Sequence, residues 1–120
     1  MYKIIFYKDK NGKSEVKDFI ENVYKSENKN NRINFKKIQD YLKSLQIHGL
    51  KLNNFYIKHL KDEIWELRPI RNRILFAGYN REYFVLLSYF IKKTQKTPPK
   101  EIEKAQKRFK DFLERIDEYE

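Results

Sequence analysis

The sequence predicts an α+β fold: a strand, two helices, a three-strand antiparallel meander and a C-terminal helix, in one domain spanning residues 1–120. Three observations carry this. Ile64 to Ile70, Arg73 to Tyr79 and Tyr83 to Ile91 are rich in β-branched, aromatic and leucine residues and are separated only by short polar segments. Two stretches upstream repeat their apolar residues at the spacing of one helical face. A third such stretch follows Pro98, a residue suited to the first helical turn.

Tyr2 to Tyr7 reads as the first strand, closed by the turn chemistry of Lys10-Asn11-Gly12. Ser14 is the N-cap of the first helix, with Glu15 and Asp18 favourable in its first turn and Val16, Phe19, Ile20 and Val23 on its buried face. That helix ends near Lys25, and the polar run Ser26 to Asn31 is a loop. Phe35, Ile38, Tyr41, Leu42 and Leu45 mark a second helix that stops before Gly49. Residues 50 to 63 follow neither period and read as a loop with a short extended piece. In the meander, Glu66 and Arg68 project opposite to Trp65 and Leu67, and Arg73, Leu75 and Ala77 opposite to Ile74 and Phe76. The large apolar side chains can then face helices while both arginines stay reachable. Thr97 is the expected cap of the last helix, whose buried face is Ile102, Ala105, Phe109, Phe112, Leu113 and Ile116. Its outer face, with Lys100, Lys104, Lys107, Arg108 and Lys110, reads as solvated, and the acidic tail Asp117 to Glu120 as frayed.

Composition narrows the function. With 27 basic and 17 acidic residues the formal charge is +10, the electrostatic footprint of a nucleic-acid partner. Cysteine is absent, which removes thiol catalysis, Cys-based zinc sites and redox switching. The N-terminal stretch lacks the features of a secretory signal, and no window approaches the roughly 20 apolar residues of a membrane span. The expectation is a soluble cytoplasmic protein with no membrane partner.

Lysine outnumbers arginine twenty to seven, yet four arginines, Arg68, Arg71, Arg73 and Arg81, fall between positions 68 and 81. A guanidinium is a planar fork of donors that grips phosphate with two parallel bonds. Arg68 and Arg73, inside strands, are the candidates for such a grip; Arg71 and Arg81, at turns, read as readily as ordinary turn residues.

The segment 58 to 108 resembles the phage-related, HigB-type branch of the RelE superfamily of toxins. The resemblance rests on the Leu-x-x-x-x-Trp-Glu-Leu-Arg block at Leu60 to Arg68, the Arg73-led strand, and Phe90-x-Lys92-Lys93-Thr94-x-Lys96-Thr97-Pro98 followed by Glu101-Ile102 and Ala105. It implies a RelE-like fold, cleavage of mRNA on the ribosome, and a helix-turn-helix antitoxin protein as partner.

Metal-free RNA cleavage needs the 2′-hydroxyl aligned on its neighbouring phosphorus, a route for its proton, stabilisation of the phosphorane and help for the departing 5′-oxygen. Arg68 and Arg73 suit the phosphate clamp, and Lys92 or Lys93 can share it or act as acid or base. Arg71, Arg81, Lys96 and Arg108 are further candidates for RNA contact. No metal site is expected, because His48 and His59 lack a carboxylate cluster of ligand spacing, and no cofactor is called for. Many relatives of this branch carry histidine two residues before the Phe of Phe-x-Lys-Lys, where this chain has Ser88. Glu66, Tyr89 and Tyr79 are the candidates to replace it as base, Glu66 being equally a plain partner of Arg68 or Arg73. Two rival functions remain: a toxin of the same fold that inhibits a protein such as a DNA topoisomerase, and a basic nucleic-acid-binding module without chemistry.

Overall fold

The computed structural model describes residues 1–119 as strand β1 (Lys3–Phe6), helices α1 (Glu15–Lys25) and α2 (Lys29–His48), strands β2 (Ile57–Lys61), β3 (Ile64–Leu67), β4 (Asn72–Tyr79) and β5 (Tyr83–Ile91), and helix α3 (Pro99–Glu114). Short 3-10 turns cover Gly49–Lys51 and Ile116–Tyr119. The α+β class is the expected one, with one strand, β2, added ahead of the three-strand meander. One five-stranded mixed sheet has the order β1-β5-β4-β3-β2, antiparallel throughout except that β1 runs parallel to β5.

Both faces of this sheet are covered. Val16 of α1 and Ile38, Tyr41 and Leu45 of α2 pack on Ile57, Leu67, Ile74, Phe76, Phe84 and Leu86. Ala105, Phe109 and Phe112 of α3 pack on Ile64, Leu75, Ala77, Val85 and Leu87. Near-continuous apolar runs such as Ile74 to Ala77 and Phe84 to Leu87 are what a doubly covered strand requires. Each fully buried large side chain contributes about 1.5 to 3 kcal/mol relative to exposure. Gly49 stops α2 at a φ of 59°, and a Cβ there would meet the Tyr2 ring at 2.6 Å, so glycine is what lets β1 dock beside the end of α2.

Four expectations are corrected. Residues 57–61, in the stretch read as a loop with a short extended piece, form a full strand, β2, at the sheet edge and antiparallel to β3. Helix α2 begins at Lys29, inside the expected loop, because the Asn28 side chain accepts from the Asn30 N–H at 2.8 Å and caps it. Pro98, not Thr97, is the N-cap of α3, and Pro99 takes its first position. The C-terminal segment is pinned rather than frayed: the Tyr119 hydroxyl donates to the Lys8 carbonyl at 2.7 Å, and Arg115 bonds both Asp111 and that carbonyl. Glu120 lies outside the described residues.

One irregularity matters for the site. Leu75 opposes Ser88 but Phe76 opposes Leu86, so β5 carries an unopposed residue, a bulge, at Leu87. Side chains alternate faces along a strand, and one inserted residue reverses the phase beyond it. Val85 and Leu87 face α3; without the bulge Tyr89 would follow them. With it, Phe90 shares a face with its cross-strand partner Arg73, and Tyr89 turns towards α1.

Candidate active site

The end of β3, the start of β4 and the end of β5 meet at one edge of the fold, where the segment 92–98 returns to α3. Glu66, Arg68, Arg73, Phe90, Lys92, Lys96, Thr97 and, from β2, Lys58 line a narrow cleft there. Its centre is Glu66, 3% exposed, which accepts a 2.8 Å hydrogen bond from the Thr97 hydroxyl. Its two oxygens lie 3.7 Å from Arg73 Nε and 3.9 Å from Arg68 Nε. The hydroxyl expected to cap α3 is therefore spent on tying the 92–98 segment to the cleft floor.

The arginines are held by backbone rather than left reaching into solvent. Arg73 is 5% exposed, and its Nη1 donates to the carbonyls of Ile70 at 3.0 Å and Asn72 at 2.8 Å. This corrects the expectation that both arginines stay freely reachable: Arg73 is buried, and only Arg68 is partly open. Burial pushes the Arg73 guanidinium below its ordinary value, and Arg68 adds to that while Glu66 opposes it. It remains a cation at any working pH. Arg68 Nη1 donates to the Asn54 carbonyl at 2.8 Å, and its buried Nε has no hydrogen-bond partner among the described residues. A buried, charged donor without a partner is costly, and an anion oxygen would satisfy it. The cleft holds about 10 Å³ of free space, room for one water at most. A wider cavity of about 390 Å³ opens on the other side of the same two arginines.

The remaining candidates separate. Lys92 and Lys96 join the cleft, whereas Lys93 turns away into a cavity beside Glu15 and Lys104. Arg71 is exposed at the β3–β4 turn, where its carbonyl accepts from the Lys92 N–H at 2.7 Å. Arg81 sits in the β4–β5 turn, the length of an eight-residue strand away, roughly 25 Å. Arg108 is not on a solvated face. Its Nη1 donates to Glu15 at 2.8 Å and to the Leu87 carbonyl at 2.9 Å, bracing α3 against α1 and β5. Burial raises the Glu15 carboxyl, but the Arg108 hydrogen bond, the Arg108 and Lys104 charges and the Tyr89 backbone together outweigh it and leave that group below its usual range.

Neither tyrosine weighed as a base reaches the cleft. Tyr89 stacks on Phe19 with centroids 3.8 Å apart, and Tyr79 packs edge-on to Phe112 near the far turn. Ser88 is fully buried, and its hydroxyl has no partner among the described residues. His59 pairs with the Asp62 carbonyl beside Trp65, and no group of three or more His, Cys, Asp or Glu side chains is placed to hold a metal among the described residues. Lys58 was missed; it stands opposite Glu66 in the β2–β3 register.

A mixed sheet covered on both faces, with arginine and lysine gathered around one buried glutamate at its edge, is the architecture of a small basic protein of RelE-like fold. The chain belongs to the family described as Phage derived protein Gp49-like (DUF891), whose sequence model matches residues 26–110, more than two thirds of the chain. This is a toxin-like, phage-derived family related to the RelE-type toxins. No curated protein matches the chain.

Proposed function

We propose that this protein is the toxin of a type II toxin–antitoxin system and an endoribonuclease that cuts mRNA on the ribosome, inhibiting translation. The observation that carries the reading is the cleft in which Lys58, Arg68, Arg73, Lys92 and Lys96 surround one carboxylate. Membership of a toxin-like family related to RelE-type toxins favours the same conclusion.

The proposed reaction is internal. The 2′-hydroxyl gives up its proton to solvent water, its oxygen attacks the adjacent phosphorus, the P–O5′ bond breaks, and the products are a 2′,3′-cyclic phosphate and a 5′-hydroxyl. Arg68 and Arg73, fixed by backbone carbonyls, meet the phosphorane charge with little reorganisation. Lys92, in the same cleft, is the proposed donor of a proton to the leaving 5′-oxygen. Glu66 is the anchor that holds the two guanidiniums together, its Oε1 also accepting from the Thr97 hydroxyl. The partner would be a helix-turn-helix antitoxin, and the site of action the cytoplasm. No helix of the described residues is long and apolar enough to cross a membrane.

Primer extension on a translated message tests this. Site-specific breaks are expected; DNA damage without RNA breaks would instead indicate inhibition of a topoisomerase, and neither would leave a binding module.

A further inference from the structure

On the side of Arg68 and Arg73 away from the cleft lies the cavity of about 390 Å³, lined by Lys37, Tyr41, Asn54, Phe55, Ile70 and the two arginines. Two of its walls are unusual. Phe55 is 69% exposed, although its ring stands on an aromatic platform, 5.2 Å from Tyr56 and 6.1 Å from Tyr41 between centroids. Ile70 is 45% exposed and has a φ of 59°, a conformation that a β-branched residue adopts only under strain. Large apolar side chains held rigidly in solvent have a cost, and strain of this kind collects at ligand sites.

Both walls are tied to the arginines. The Asn53 side chain accepts from the Phe55 N–H at 2.9 Å, forming the turn that presents the ring, and the next carbonyl, Asn54, receives Arg68. The strained backbone at Ile70 aims its own carbonyl at Arg73. Each apolar wall is therefore fixed by the same short turn that fixes a guanidinium. The charged residues lining the cavity, Lys37, Arg68 and Arg73, are all cationic, which selects an anionic ligand with a flat apolar part.

We propose that Phe55 and Ile70 form the stacking subsite for a nucleobase next to the phosphate that Arg68 and Arg73 hold, so that the protein grips single-stranded RNA by one base and its phosphate. Base–aromatic stacking tolerates any base because each has a π-face, and a phosphate bridges to the guanidiniums beside it. The inference rests on the reading of Arg68 and Arg73 as a phosphate clamp, but it concerns binding, and its test needs no cleavage.

The experiment measures binding by fluorescence anisotropy to a short single-stranded oligoribonucleotide made uncuttable by 2′-deoxy substitution, and to its counterpart with abasic sites. Wild type should prefer the intact strand by about tenfold, within the range of one base–aromatic stack. Phe55→Ala should abolish that preference and Phe55→Trp restore it. Phe55 is largely in solvent, so truncation leaves the core intact. Ile70→Gly removes the second wall while relieving the strain, so it should lower the preference without lowering the melting temperature. Arg73→Lys should weaken both strands alike. Equal binding of intact and abasic strands by wild type overturns the proposal, as does an undiminished preference in Phe55→Ala. If Phe55→Ala keeps that preference and loses capture of a helical antitoxin, the surface belongs to a protein partner and the proposal falls. Cleavage of message is scored separately, so a chain that discriminates bases but never cuts would sink the nuclease reading alone.

Discussion

Replacing Glu66 by glutamine removes the only negative charge among the described residues of a cleft that retains five cations. The amide oxygen can still accept from Thr97, so shape and tether survive and the loss is electrostatic. Opposite charges about 4 Å apart attract by about 4 kcal/mol at an effective dielectric of 20, and Glu66 lies 3.7 and 3.9 Å from its two guanidiniums. Breaking a buried pair typically costs about 3 to 5 kcal/mol. Two features lower that figure here. Neither separation is of hydrogen-bond length, and the Arg68 side chain is 27% exposed, so water screens it. The expected loss is about 2 to 3 kcal/mol, which for a chain of this size lowers Tm by roughly 10 °C. Thermal melts followed by circular dichroism measure it, with cleavage of a translated message scored in parallel; cleavage should also fall as the guanidiniums separate. An unchanged Tm with lost cleavage would refute the anchor and assign Glu66 to proton transfer. Unchanged Tm and cleavage together would show that the carboxylate does neither.

Five further outcomes are expected. Arg73→Lys keeps a cation beside Glu66 but loses the fork, so cleavage should drop about a hundred- to thousandfold with Tm within a few degrees; wild-type cutting would remove the fork from the chemistry. Arg73→Ala should unfold the protein more readily as well, because it strands Glu66, costing about 3 to 5 kcal/mol in a chemical denaturation. A message carrying 2′-deoxy at the cut position should resist cleavage, and cutting it would overturn internal attack. Ribosome or RNA binding should weaken steeply between about 50 and 200 mM salt, with Lys107→Ala or Lys110→Ala lowering the slope by about one unit, as titrations at several salt concentrations would show. Finally, the Arg115 and Tyr7 hydrogen bonds hold the Asp111 carboxyl below its usual range, so its contribution is present above the unfolded carboxylate range and lost as pH falls below about 4. Burial and Asp111 push Tyr7 up to about 12, so its contribution is full below about pH 10 and lost as pH rises towards 12. Melts across pH should be flatter at the acid end for Asp111→Asn and at the alkaline end for Tyr7→Phe.

The helices and the meander were legible because each buries a face whose period shows in the chain; Val16, Ile38, Phe76 and Phe112 are fully buried as expected. Strand β2 was legible only as a short extended piece without bounds, because an edge strand with Lys58, His59 and Lys61 exposed has no apolar alternation, and only its pairing with β3 makes it a strand. Lys58 was lost with it. Arg68, Arg73, Glu66, Lys92 and Lys96 were singled out by residue type and do gather in one cleft. Alternation parts Lys92 from Lys93, and the bulge at Leu87, which leaves no mark in composition, decides which of the two joins the cleft. Arg108 looked solvated because its partners, Glu15 and the Leu87 carbonyl, lie far away in sequence.

The parallel pairing of β1 with β5 has a kinetic consequence. Lys3 finds its partner at Tyr83, 80 residues later, and the Lys8 carbonyl waits for Arg115 and Tyr119. At synthesis rates of about 5 to 20 residues per second the first strand stays unpaired for roughly 4 to 16 s. Contacts this distant in the chain also make the final closure slow. Lys92 belongs to the same late-made region, so an incomplete chain has neither a closed sheet nor an assembled cleft. On the proposed reading, a ribosome finishes making this protein before the product is able to act on any ribosome, its own included.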